Sequence, residues 1–408
     1  MINRKTMAAL TLALLSMLFA LPAQAATAGW SGTWRVSIAM PGGALPFGLE
    51  VKQSGTNVTA VLLNPPERMR VEQVSLDGDT LVLAFPSYGS RVTLRRGSDD
   101  RITGEAYLAR STGFATLPVS GERGTWRFVA APAKPAADLS GRWQMAYGTA
   151  AQRGQIDLRQ SGNRVTGSVQ LPSGDFRYLA GDISGNRLAL STFDGNAATL
   201  WTATIADGKL TGAMFTATGS KAGTAWTASR AGKANMAAVT VETAAVKRLA
   251  FRFPDSKGRM VSLADARYRG KVVVITLGGA WCPNCHDEAT FMGPYATRRQ
   301  REGLEVIALQ FEYGDDQARA FRLMDSFAAR YKLPYPLLLA GQPTPESSKA
   351  ALPGVGPIKV YPSTLFIGRD GTLREVHVGW AGPATGALNV AAKREFDETV
   401  SKLLREKA

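Results

Sequence analysis

Cysteine and histidine are scarce in this 408-residue chain, which has two of each. Two cysteines exclude a disulfide-dense scaffold and any all-cysteine zinc or iron–sulfur site. Two histidines exclude a multi-histidine metal centre, and no cofactor is expected. Long apolar runs are missing too: after Leu21 nothing reaches the 18 or so residues of a membrane-spanning helix. Acidic residues are outnumbered, 33 against 48 basic, for a net charge of +15. The excess is spread along the chain, and the basic runs Arg95–Arg96 and Arg298–Arg299 with Arg301 are short. Nucleic acid is therefore not an expected partner. What is present is a globular composition, 45% hydrophobic and 20% charged, which excludes wholesale disorder.

The N-terminus reads as an address. Arg4 and Lys5 precede an apolar run from Met7 to Leu21, and Pro22 ends it. Ala23-Gln24-Ala25 then places small residues where a signal peptidase cuts. Residues 1–25 are expected to be a cleaved signal peptide. The exported protein would start near Ala26, be free of a membrane span, and reside in a periplasm.

Residues 29–230 are rich in short alternating runs punctuated by Gly, Asp and Asn, the pattern of an all-β region. They also repeat. Ser31-Gly32-Thr33-Trp34 matches Ser140-Gly141-Arg142-Trp143, Gln53-Ser54-Gly55 matches Gln160-Ser161-Gly162, and Ile102-Thr103-Gly104 matches Leu210-Thr211-Gly212. Two copies of one β module follow, over 29–129 and 138–231, each a barrel or a sandwich. The Gly-x-Trp opening each copy resembles calycin-type barrels. A Pro/Ala stretch, Ala130 to Ala137, reads as a semi-rigid spacer between them, and an Ala-rich one, Ala231 to Ala245, follows the second. Neither copy contains Cys or His, so binding is the expected role of this half.

From residue 246 the texture becomes α/β. Val272 to Leu277 and Leu304 to Leu309 read as buried parallel strands. Apolar spacing predicts a helix from about Asp315 to Tyr331, and Arg369-Asp370-Gly371 marks a hairpin. Trp281-Cys282-Pro283-Asn284-Cys285 falls where the first strand passes into a helix. A helix N-terminus favours a thiolate, so the Cys282 pKa should fall below the free value of about 8.5. Cys282 could then attack a disulfide and Cys285 resolve the mixed disulfide. Cys282-x-x-Cys285-His286 also satisfies the haem c attachment pattern; the buried strand run before it argues against that use. His286 reads as a helix residue that would add positive potential beside Cys285.

These residues resemble the active site of thioredoxin-fold proteins. Phe251 to Asp255, Arg269 to Val274 and Tyr361-Pro362-Ser363-Thr364 extend the likeness to the TlpA/ResA-like family of exported thiol–disulfide oxidoreductases. The resemblance covers about residues 248–408 and implies a thioredoxin-like domain over residues 246–408. It implies that Pro362 is a cis-proline beside the disulfide, that Tyr361, Trp281 and Pro283 contact substrate, and that Glu288 moves protons. Thioredoxin's buried Asp is replaced here by Thr276. It further implies protein thiol or disulfide substrates and a membrane thiol-reductant transporter as electron donor. The expected fold is thus two all-β repeats followed by an α/β thioredoxin-like domain, and the expected function is disulfide exchange through the CPNC motif, in the reducing direction. Two alternatives stand: a β-repeat binding module with an accessory redox domain, and a thiol peroxidase with antioxidant activity. The latter usually needs Pro and Thr or Ser before the reactive cysteine, where this chain has Ile275 and Gly279.

Overall fold

The computed structural model describes residues 29–111, 113–150, 152–230 and 248–407, so the expected signal peptide and the Ala-rich stretch after residue 230 lie outside the described residues. The chain is multidomain, with a large all-β N-terminal region and a thioredoxin-like C-terminal domain.

Module 1 is a nine-stranded antiparallel meander from Gly32–Met40 to Gly113–Arg123. Its first strand pairs with its last, Trp34 opposite Arg123 and Ile38 opposite Val119. The edges Glu67–Arg70 and Gln73–Asp77 are not joined, which leaves the sheet a partly open barrel. Module 2 closes fully, because Gln152–Ser161 pairs with Gly141–Tyr147 on one side and Arg164–Leu171 on the other. A two-residue strand, Gly174–Asp175, hangs on Arg164–Leu171 as an extra hairpin. Closure removes the exposed edges that would otherwise template aggregation.

The two buried tryptophans hold equivalent places. Trp34 Nε1 donates to Trp30 O at 2.8 Å, and Arg123 lies over its ring at 4.1 Å. Trp143 Nε1 donates to Leu139 O at 2.9 Å, and Arg230 lies over its ring at 4.4 Å. In each module the arginine covers the apolar face and satisfies carbonyls beside it.

The stretch after module 1 does not act as the spacer its composition suggested. Ala133 N bonds Ser184 Oγ and Ala136 N bonds Gly185 O, so it lies along module 2. The modules also share a core: the ring of Phe193 in module 2 packs tilted against that of Phe47 in module 1, 4.8 Å between centroids. Arg127 crosses the seam, donating to Leu63 O, Asn64 Oδ1 and Ser191 O. Apolar burial and satisfied polar groups outweigh the local stiffness of a Pro/Ala sequence.

The C-terminal sheet has five strands, ordered Leu337–Gly341, Leu304–Phe311, Val272–Gly278, Ser363–Ile367, Leu373–Val378. The first three run parallel and the last two antiparallel. Helices α1 (Pro283–Arg299), α2 (Gln317–Tyr331), α3 (Pro345–Ala351) and α4 (Ala387–Arg405) flank it. Side chains alternate along a strand, so Val272 and Val274 join one core with Met292, Phe327 and Phe396, while Val273, Ile275 and Leu277 join another with Phe251 and Leu352. Burial on both faces explains the unbroken apolar run. Among the described residues no helix is long and apolar enough to cross a membrane.

Candidate redox-active site

The central strand ends at Gly278, and α1 begins at Pro283. Pro suits the first helical position, where its missing N–H has no partner to lose. Cys282 is the N-cap, with extended backbone, and its Sγ accepts from Cys285 N at 3.2 Å. Cys282 and Cys285 form a disulfide with Cα atoms 5.2 Å apart. Once reduced, the Cys282 sulfur keeps that N–H and the helix dipole, both of which favour its thiolate. At Gly278 any Cβ would stand 3.1 Å from Cys285 Sγ, so glycine makes room for the second sulfur.

Trp281 flanks the disulfide. Its Nε1 donates to Phe311 O at 2.8 Å, and its ring meets Tyr313 and Tyr361 at 4.9 and 5.5 Å. The Tyr361–Pro362 peptide bond is cis, and Pro362 O accepts from Gly379 N at 2.8 Å.

Glu288 is buried one turn into α1, and its Oε1 accepts from Thr364 Oγ1 at 2.8 Å. Burial pushes its carboxyl up to about 8, with the Thr364 hydrogen bond opposing weakly. A carboxyl that carries its proton near neutrality can both deliver and accept one. Glu288→Gln is expected to lower exchange roughly 100-fold at neutral pH and to erase an ionisation near pH 8 from the rate profile. Stability gives a second readout. Between about 4.5 and 8 the folded state holds a proton that the unfolded state releases, so the wild type loses stability as pH rises through that window. The Gln variant lacks this loss, and denaturant titrations at pH 5 and pH 8 compare the two.

Sequence reasoning missed Glu312. It follows the strand Leu304–Phe311, is buried, and its Oε1 accepts from Ala280 N at 2.7 Å. Burial lifts it to about 7, with the Ala280 N–H opposing. An acidic residue at the C-terminal end of a buried strand was the available signal.

His286 corrects an expectation. It is 2% exposed, and burial first, with Arg330 nearby, lowers its pKa well below the usual value. It is neutral, bonded to Ala280 O and Tyr331 Oη, and stacked on Tyr88 of module 1 at 3.8 Å. It adds no positive potential at the thiols and instead docks a β module onto the helix that carries them.

That docking continues through a buried ionic junction. Arg177 of module 2 donates to Asp287 Oδ1 and to Glu67 Oε1 of module 1, both at 2.6 Å, and lies 3.9 Å from Asp194. Burial opposes its charge, but Asp287, Glu67 and Asp194 outweigh it and hold Arg177 protonated. Arg330 of α2 pairs with Glu72 of module 1.

Residues 245–376 match the AhpC/TSA family model. ResA thiol-disulfide oxidoreductases of Bacillus thuringiensis and Bacillus anthracis are each 28% identical over 130 residues, 32% of this chain and 66% of theirs, so the chain spans just under two thirds of those relatives. Among solved structures, a thioredoxin-family thiol:disulfide interchange protein from Chlorobium tepidum covers 41% of this chain and 99% of its own, at 20% identity and a TM-score of 0.30. A secreted disulfide oxidoreductase from Mycobacterium tuberculosis covers 38% and 96%, at 20% identity and a TM-score of 0.28. The C-terminal domain is therefore similar to ResA-type thiol-disulfide oxidoreductases, and residues 245–376 lie within the span of the AhpC/TSA family model.

Proposed function

We propose that this chain is an exported thiol–disulfide oxidoreductase that reduces disulfides of periplasmic proteins. The observation that carries the reading is Cys282 at the N-cap of α1, disulfide-bonded to Cys285 and hydrogen-bonded to its N–H. In the reduced enzyme the Cys282 thiolate attacks one sulfur of a substrate disulfide. That S–S bond breaks, a mixed disulfide forms, and the departing substrate thiolate takes a proton. Cys285, deprotonated with Glu288 as acceptor, attacks Cys282 Sγ and releases the second substrate thiolate. The enzyme ends oxidised and the substrate reduced, each by two electrons. An external dithiol, assigned here to a membrane thiol transporter, restores the reduced pair. Trp281, Pro283, Tyr361 and Pro362 form the walls against which the substrate chain aligns.

The reduction potential decides the direction. Titration of the Cys282–Cys285 pair against glutathione is expected to give a value near thioredoxin's, about −270 mV. A value near −120 mV, typical of a strong oxidant, reverses the direction. Absence of any reversible Cys282–Cys285 disulfide overturns the whole reading. The AhpC/TSA match favours testing a peroxidase as the second reading; turnover of hydrogen peroxide with a dithiol reductant would support it despite Ile275 and Gly279.

A further inference from the structure

The tip of the extra hairpin in module 2 lies on the redox motif. Strand Arg164–Leu171 turns through Pro172 and Ser173 into Gly174–Asp175, with Leu171 opposite Gly174. Asn284, the second residue between the cysteines, pairs with both main-chain groups of Asp175. In the orientation that satisfies its amide, it donates to Asp175 O and accepts from Asp175 N, each at 3.0 Å. The Asp175 carboxylate accepts from Gly382 N, and Arg177 anchors the base of the hairpin on Asp287. The tip also backs onto Gly379, where a Cβ would stand 3.0 Å from Ser173 O. Gly379 N is itself bonded to Pro362 O. The hairpin thus bridges the CPNC loop and the loop beside the cis-proline.

A side-chain amide that binds the N–H and C=O of one residue holds an extended polypeptide the way a sheet edge does. Here the polypeptide comes from the same molecule. Cys282 is 3% exposed and Cys285 4%. Thiol–disulfide exchange needs a path to the attacking sulfur, and a sulfur so covered offers none to a folded protein. The junction that holds the hairpin is polar and leaves a cavity of about 460 Å³ lined by Glu67, Tyr88, Arg177, His286, Asp287 and Tyr331. Lifting the tip, residues 172–175, breaks hydrogen bonds and leaves Phe176 on Trp201 in the core of module 2, as at interfaces between mobile domains.

We propose that the tip of this hairpin, residues 172–175, is the specificity element of the site. Closed, it holds protein disulfides away from Cys282, whereas small molecules need only local breathing. An extended substrate segment enters by displacing the tip and taking over the Asn284 amide. This rests on the exchange activity proposed above, but its test does not.

Gly174→Ala is the wedge, because a Cβ there would stand 1.8 Å from the Asn284 amide. Asp175→Ala is a second variant that removes the Gly382 bond and leaves Asn284 intact. The reduced full chain is labelled with N-ethylmaleimide and with a polymer-linked maleimide. Wild-type Cys282 should react with the small reagent and resist the large one. Each variant should speed polymer labelling by about tenfold, in proportion to the open fraction, and leave N-ethylmaleimide labelling within about twofold. Equal access of both reagents in the wild type, or an unchanged ratio in both variants, overturns the strap. Turnover adds a parallel readout: kcat/KM for insulin should rise by the same factor while that for a small aromatic disulfide stays level. A wild type that exchanges with neither substrate counts against the proposed activity, and the labelling ratio still decides the strap.

Discussion

Serine at position 282 is expected to bring disulfide exchange down at least about 1,000-fold, to the uncatalysed background. The hydroxyl does not ionise in the accessible range and forms no S–S bond, so the first step has no nucleophile. Cys285→Ser should behave differently. Cys282 Sγ still faces the amide N–H at position 285, since that contact uses backbone and not the second sulfur. The first attack proceeds, resolution stops, and one equivalent of substrate stays covalently attached. Mass spectrometry of the variant mixed with a protein disulfide reads this directly. A stable adduct on Cys282→Ser, or its absence on Cys285→Ser, would reverse the assigned roles. Alkylation of the reduced wild type should also show an ionisation below about 8.5, the value of a free cysteine.

The second large effect is expected at the domain junction. Arg177→Met leaves Asp287, Glu67 and Asp194 without the cation between them. Breaking a buried pair by removing one partner costs about 3–5 kcal/mol, because the charge left behind cannot hydrate. The sign with pH follows from Asp287, which burial already raises to about 7, with the nearby Arg177 opposing. Without Arg177, Asp287 holds its proton more tightly, so the variant's deficit should be largest near pH 8 and shrink toward pH 5. Calorimetry should show the C-terminal domain melting separately from the β modules in the variant. A deficit below about 1 kcal/mol, the size of a surface pair, would mean that Arg177 does not hold the junction.

The redox motif could be read without a structure because its signals are local. A buried strand shows as an unbroken apolar run from Val272 to Leu277, and Pro283 and the cysteines mark a helix start within a few residues. The paired tryptophans Trp34 and Trp143 were legible for the same reason, since a duplicated sequence repeats its local pattern. The helix before the C-terminus was only partly legible. It spans Ala387–Arg405, and its Gly386 cap makes no side-chain bond, so no capping residue in the sequence signals where it starts.

What tertiary structure alone decided concerns residues far apart in the chain. Thr364 reaches Glu288 and Glu312 reaches Ala280 only because parallel and antiparallel strands stack their ends beside α1. The carboxyls rise to about 8 and about 7 because that stacking removes water, which no local pattern encodes. His286 is neutral because Tyr88, from another module, covers it. Asp175 meets Asn284 because a closed barrel carries an extra hairpin that points at the redox loop. Local periodicity specifies which strands and helices form; how they close and dock specifies which polar groups lose their water, and that sets the chemistry and the access of the site.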